Sequence, residues 1–168
     1  MNDSKIKLNG TLVHTCASFL LQGSKAPPFV LVDDDLSEKK LQDYSGKIKL
    51  CNIFPSIDTH VCATSVTTFD TLIGNHDNVV LLCISRDIPF ALKRFRHTQS
   101  LHNACLLSGF RSHFGKDYGV ELVDSILKGL YARVVMVLNS DNTVVYVECV
   151  EEITQEPQYD MAFKACSL

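Results

Sequence analysis

Lys5 to Leu8 alternates polar with apolar residues, and a second short apolar-centred run, Thr11 to His14, follows directly after Asn9-Gly10. Both of these turn residues tolerate positive φ, so the pattern predicts an N-terminal β-hairpin over about residues 5–14. A Gly/Ser/Pro segment from Gly23 to Pro28 comes next. Phe29 to Val32 then reads as a strand, and Ser37 to Tyr44 as a short helix opened by a serine cap and Glu38. Beyond Gly46, Lys47 to Phe54 is a mostly apolar stretch stopped by Pro55. It is followed by helical spacing that carries Val61, Val66, Phe69, Leu72 and Ile73. That is a strand feeding a helix.

Asn78 to Ile84 repeats the pattern of a buried strand, and Ile88 to Phe95, with Phe90, Leu92 and Phe95, predicts the next helix. The order βαβα implies parallel strands joined by right-handed crossovers. From Cys105 to Lys128 the pattern weakens, broken by Ser108-Gly109, Gly115 and Gly119, and a short helix with loops is expected there. Ala132 to Leu138 and Thr143 to Val150 are β-rich runs around the turn Asn139-Ser140-Asp141-Asn142, hence an antiparallel hairpin. Pro157 starts a final helix through Met161, Ala162 and Ala165. Adding βαβα to ββα gives an α/β chain of thioredoxin-like arrangement, a central mixed sheet flanked by helices, with the hairpin in front.

Bulk properties narrow the class. The 168 residues contain no repeat, linker or low-complexity segment, so one domain over residues 1–168 is expected. With 46% hydrophobic and 21% charged residues the chain is of ordinary globular composition. A net charge of −3 gives no reason to expect nucleic acid or an anionic membrane as partner. The start Met1-Asn2-Asp3-Ser4-Lys5 leads into alternating residues rather than an apolar signal region, and no apolar run approaches the roughly 18 residues that cross a bilayer. A cytoplasmic location is therefore expected. Cys16, Cys51, Cys62, Cys83, Cys105, Cys149 and Cys166 make an odd count without a C-x-x-C pair. That argues against a disulfide scaffold or a paired-cysteine zinc site and for reduced thiols, most of them small buried hydrophobes.

The segment Pro55-Ser56-Ile57-Asp58-Thr59-His60-Val61-Cys62 lies where a strand ends and a helix begins, the edge at which open α/β sheets hold their ligands. Cys62 falls in the first helical turn, where unpaired N–H groups and the positive dipole end favour a thiolate. A helix terminus supplies about 1 kcal/mol, at most ~2. Holding a cysteine largely ionised at neutral pH takes roughly 3.4 kcal/mol, so a cation is needed as well. Arg133, at the start of an otherwise apolar strand, is the candidate. Thr59 can donate its hydroxyl to the sulfur or to a bound substrate, and Pro55 can fix the turn and shield the sulfur. Each has an ordinary role open to it too: packing for Cys62, an N-cap for Thr59, strand termination for Pro55, a surface ion pair for Arg133.

Phe54-Pro55-Ser56-Ile57-Asp58-Thr59-His60-Val61-Cys62-Ala63-Thr64-Ser65-Val66 resembles the active-site segment of the bacterial thiol peroxidases, an atypical two-cysteine branch of the peroxiredoxins. Similar segments follow in family order: Gly23-Ser24-Lys25-Ala26, Leu82-Cys83-Ile84-Ser85, Asp87-Ile88-Pro89-Phe90-Ala91, Lys128-Gly129-Leu130-Tyr131-Ala132-Arg133 and Glu151-Glu152-Ile153-Thr154-Gln155-Glu156-Pro157. The resemblance implies a thiol-dependent peroxidase of hydrogen peroxide and alkyl hydroperoxides. In it Cys62 is the peroxidatic cysteine, Thr59 and Pro55 form its pocket, and Arg133 is the cation. It further implies a Cys62 sulfenic acid, reduction by thioredoxin or another thiol, a homodimer, and no metal or organic cofactor.

One departure stands out. The family places its resolving cysteine after Arg-Phe on the helix beyond Ser85, where this chain has Arg94-Phe95-Arg96. Cys105 is the substitute expected from its place after that helix in a segment able to loosen. The other route is a one-cysteine cycle in which an external thiol reduces the sulfenic acid. His60, where a small residue or proline is commoner, either tunes the sulfur or faces solvent. Two further readings remain open: thiol–disulfide exchange, which the missing C-x-x-C disfavours, and a redox sensor or interaction module with little turnover.

Overall fold

A computed structural model of the chain describes residues 5–74 and 76–166; the opening Met1-Asn2-Asp3-Ser4 lies outside them. The hairpin is formed by β1 (Ile6–Leu8) and β2 (Thr11–Val13), with Ile6 opposite Val13. Asn9 and Gly10 take φ of 52° and 80°, the left-handed geometry that the Asn-Gly pair supplies. Glu152 fastens this turn to the C-terminal segment, its carboxylate accepting the N–H groups of Asn9 and Gly10 at 3.0 and 2.9 Å.

The remaining strands are β3 (Val30–Asp33), β4 (Glu38–Lys40), β5 (Ile48–Ile53), β6 (Val79–Ser85), β7 (Ala104–Ser108), β8 (Val134–Leu138) and β9 (Val144–Cys149). They form one seven-stranded sheet in the order β4-β3-β7-β6-β5-β8-β9, the two-stranded hairpin standing apart from it. The β5, β6 and β7 strands run parallel, and the outer pairings are antiparallel. The helices are α1 (His60–Ile73), α2 (Pro89–Gln99), the short α3 (Phe114–Asp117) and α4 (Tyr159–Ala165). The expected mixed sheet with flanking helices and an N-terminal hairpin is present.

Residues of β5 alternate between two cores. Leu50 joins Cys62, Val66, Phe69 and Ile73 of α1 with Leu92 and Phe95 of α2 and Ala162 of α4. Cys51 and Ile53 point into the other core, closed by Ile6 and Val13 of the hairpin, Phe29, Phe114, Tyr118 and Tyr131. Apolar positions of α1 thus recur at helical spacing and bury one stripe against the sheet.

Two expectations need correction. Ser37 to Tyr44 is not a helix: Glu38–Lys40 is β4, paired antiparallel with β3, and only Leu41–Tyr44 forms a 3-10 turn. Asp35 spends its carboxylate on the Ser37 N–H, and Leu36 at φ 73° reverses the chain, so the edge of β3 captures the following residues. Within the segment expected as a short helix and loops, Ala104–Ser108 is β7, a central strand between β3 and β6. Its five residues are buried on both faces or nearly so, which leaves no alternation to read. The short helix expected there is α3.

Gly119 has φ +71°, and a Cβ added to it would lie 2.2 Å from the Ser18 carbonyl oxygen. Gly119→Ala should therefore lower the unfolding free energy by about 2 kcal/mol or more, measured as a shift of the urea midpoint at unchanged slope.

Candidate active site

The parallel register Ile53↔Ile84 and the antiparallel register Ile53↔Val134 bring the end of β5 between the end of β6 and the start of β8. Phe54 continues the pairing through its N–H to the Ile84 carbonyl at 3.1 Å. Buried Pro55 then turns the chain out of the sheet. The following turn closes on itself: the Thr59 N–H and hydroxyl both donate to the Ser56 carbonyl, at 3.2 and 3.1 Å. Thr59 is the N-cap of α1 in extended geometry, φ −94° and ψ 145°, and the Ala63 N–H donates to its carbonyl at 3.0 Å. Its side chain is exposed and does not cap the helix.

Cys62 is the third residue of α1, so its own N–H precedes the first intrahelical bond. Arg133 sits immediately before β8 and is 2% exposed. Its Nη2 donates to Cys62 Sγ at 3.3 Å and its Nε to the Ile153 carbonyl at 2.8 Å. Nη1 is buried with no hydrogen-bond partner among the described residues. A buried guanidinium donor without an acceptor is costly, so this site is built for one more acceptor than the protein provides. The Ile153 carbonyl that holds Arg133 belongs to a residue whose N–H donates to Lys7 at 2.9 Å, which ties the cation to the N-terminal hairpin. On the carbonyl side of Cys62, the Ser65 hydroxyl donates to Cys62 at 2.8 Å and accepts from buried Asn52 of β5 at 3.1 Å.

Of the expected site residues, then, Cys62 and Arg133 are in direct contact and Pro55 and Thr59 lie on the turn that precedes the helix. Cys62 is 0% exposed and packs with Phe54, Ile57 and Val66. Burial here follows from α1 packing its stripe flat on the sheet, which carries Cys62 inward with Val66 and Phe69. His60 is exposed at the first helical position.

Cys105 does not join the site. It lies in β7 opposite Leu82 and packs with the core on the far face of the sheet from Cys62. The segment expected to loosen is hydrogen-bonded in the middle of the sheet. Arg96, where the resemblance puts the resolving cysteine, forms an ion pair through Nε with the carboxylate of Asp34. Sequence reading missed Asp87. It follows β6, and its carboxylate accepts from the Ser56 hydroxyl, the Ile57 N–H and the Ser85 hydroxyl, each at 2.7 Å. The sequence offered it only as the first residue of the family-like segment Asp87-Ile88-Pro89-Phe90-Ala91, with no role attached.

The redoxin family model matches residues 21–162. The chain belongs to the redoxin family. Curated redoxin relatives named thiol peroxidase include those of Mycobacterium tuberculosis, 43% identical over 162 residues that cover 96% of this chain and 98% of the relative. That of Corynebacterium glutamicum is 41% identical with the same coverage. Among solved structures, a peroxiredoxin-like protein from Aquifex aeolicus superposes with a TM-score of 0.93 at 33% identity, over 96% of this chain and 95% of that one. A thiol peroxidase from Chromobacterium violaceum gives 0.88 at 25% identity, over 96% and 94%. The fold of this redoxin chain is thus the thioredoxin-like fold of the peroxiredoxins.

Burial holds several other thiols of this redoxin in the protonated form. Burial pushes Cys51 and Cys149 up to about 12, Cys166 up to about 11, and Cys83 well above the usual thiol range. A raised value keeps the proton on sulfur until the pH approaches it. At about pH 8 the thiolate fraction of Cys51 and Cys149 is on the order of one part in ten thousand. Iodoacetamide labelling of the native chain at that pH, mapped by mass spectrometry, should leave Cys51, Cys83 and Cys149 unmodified over a period that labels them fully in denaturant.

Proposed function

We propose that the chain is a thiol-dependent peroxidase in which Cys62 is the oxidised residue. The observation that carries the assignment of the site is the Arg133 Nη2–Cys62 Sγ contact at the start of a helix, in a chain of the redoxin family. A thiolate is a far better acceptor for a guanidinium N–H than a thiol, so this contact favours the nucleophilic form. The sulfur attacks one oxygen of the peroxide. An S–O bond forms as the O–O bond breaks, leaving Cys62 sulfenic acid and an alkoxide or hydroxide that takes up a proton. Sulfur is oxidised by two electrons and the peroxide reduced by two. The unpartnered Nη1 of Arg133 and the free N–H groups of the first α1 turn are the donors available to the charge developing on the leaving oxygen. Thr59 supplies a further hydroxyl once it lets go of the Ser56 carbonyl, and Pro55 keeps water from the sulfur.

The cycle closes with two thiols: the first displaces water from the sulfenic acid to form a mixed disulfide, and the second releases Cys62 as thiol. We infer that both come from outside the chain, from thioredoxin or a small-molecule thiol. The support is that Cys105 faces the opposite core and Arg96 occupies the family's resolving position. Because Cys62 is fully buried, peroxide and reductant reach it through opening of the Pro55–Thr59 turn or the start of α1. Exposed Ile88, Phe90 and Phe110, which follow the ends of β6 and β7, support a homodimer formed at this edge of the sheet. Among the described residues no helix is long and apolar enough to cross a membrane; a cytoplasmic site of action accords with the reduced thiols.

Peroxide consumption by the purified chain with a thiol reductant should be abolished in Cys62→Ser and slowed by about 10²-fold or more in Arg133→Ala. An unchanged rate in Cys62→Ser would end this reading. Cys105→Ser should turn over at the wild-type rate with external thiol, and mass mapping after peroxide treatment should find no Cys62–Cys105 disulfide.

A further inference from the structure

We propose that Asp87 is the positioning residue of this peroxidase site: it fixes the Pro55–Thr59 turn, and through it the start of α1, against Arg133. The inference rests on the peroxidase reading and adds to it a residue outside the sulfur's immediate contacts.

The hydrogen bonds around Asp87 run in one direction. Oδ1 accepts from the Ser56 hydroxyl, and Oδ2 accepts from both the Ile57 N–H and the Ser85 hydroxyl. With its proton committed to Asp87, the Ser56 hydroxyl oxygen accepts the Asp58 N–H at 3.3 Å. The Ser56 carbonyl accepts both donors of Thr59, and the Thr59 carbonyl accepts the first intrahelical N–H of α1, from Ala63. Every link from Asp87 to the helix that carries Cys62 is therefore a hydrogen bond of defined donor and acceptor.

The base of this chain is rigid. Ser85 and Ser108 are register partners at the ends of β6 and β7, and both are 0% exposed. The Ser85 hydroxyl accepts the Asp87 N–H while donating to its carboxylate, and the Ser108 hydroxyl donates to the Asp87 carbonyl. Backbone and side chain of Asp87 are thus both referenced to the sheet that carries Arg133. Among the described residues no cation forms an ion pair with Asp87, so its charge is met by these dipoles alone. The surroundings call for an acceptor on both oxygens. The Ile57 N–H cannot reverse its role, whereas a hydroxyl can.

This last point gives the test. Asp87→Ala removes all three bonds. Asp87→Asn keeps an oxygen for Ile57 and Ser85 and places its NH₂ toward Ser56, whose hydroxyl can rotate to accept. Reduced full-length protein is mixed with hydrogen peroxide, quenched with a cyclic dione that traps Cys62 sulfenic acid, and the adduct is counted by mass spectrometry. The same sulfur is separately alkylated with iodoacetamide, a reaction that does not use the oxygen-binding donors.

Asp87→Ala is expected to slow peroxide oxidation about tenfold or more, Asp87→Asn to recover to within about threefold of wild type, and alkylation to fall by clearly less than the peroxide rate in Asp87→Ala. A peroxide rate in Asp87→Ala within about threefold of wild type, or an equal loss toward both reagents, overturns the proposal. Should Asp87→Ala fail to fold, Ser56→Ala breaks the same link from the half-buried side, and a wild-type peroxide rate there overturns it equally. A wild-type chain inert to peroxide would instead sink the peroxidase reading itself.

Discussion

Arg133 is almost wholly buried, and a buried guanidinium is stable only where acceptors meet its donors. It has two: the Ile153 carbonyl and the sulfur of Cys62. Moving α1 by an ångström leaves the cation further short of partners, so the protein has a strong energetic reason to keep the sulfur where it is. The sheet register makes the contact possible. Ile53 is paired with Val134, so the residue leaving β5 and the residue entering β8 face one another, and the chain that runs from β5 into α1 passes directly over Arg133. The hairpin contributes from the other side, holding Ile153 through Lys7 and the preceding turn through Glu152.

Three adjacent strands thus each deliver one part of the site at the same edge. The helix with the sulfur comes from β5, the anchor for its turn from β6, and the cation from β8. Because β5 is hydrogen-bonded to both of the others, no part can shift alone without breaking ladder bonds. The short turn between them is held by the Asp87 carboxylate and not by ladder bonds, so opening for peroxide and thiol costs least there.

Elements with a strong local signature were legible in the sequence. Asn9-Gly10 announced the hairpin, and the long periodic stripe from Val61 to Ile73 announced α1. The β4 strand was not legible because Glu38-Lys39-Lys40 has no apolar face and becomes a strand only by pairing with β3. The β7 strand was hidden by its shortness and near-complete burial, and by the glycines after it. In the site, the pairing of Cys62 with Arg133 could be read from a guanidinium heading an apolar run beside a strand-to-helix junction. Asp87 could not be read. Its partners on the turn, Ile57 and Ser56, lie 30 and 31 positions away, and nothing local distinguishes a carboxylate that organises a turn from one that faces water.

The proposal that an external thiol reduces the oxidised sulfur rests on the same geometry. The α2 helix is tethered by Arg94 to Asp58 on the turn and by Arg96 to Asp34 beyond β3. Exposed pairs such as the first contribute about 0–1 kcal/mol, so these tethers alone would not stop the helix from opening. Thiol placement decides instead. On the face of Cys62 the sheet and helices offer Cys83 and Cys166, both held protonated by burial, and a protonated thiol is a poor nucleophile toward a sulfenic acid. Cys51, Cys105 and Cys149 pack with the opposite core, and a disulfide needs Cα atoms within about 7 Å. Cys51, Cys83, Cys105 and Cys149 are strand residues that would have to leave the sheet or cross it, with the loss of ladder bonds and core packing. An external thiol has only to displace the Pro55–Thr59 turn, which hydrogen bonds to the Asp87 carboxylate hold in place of ladder bonds.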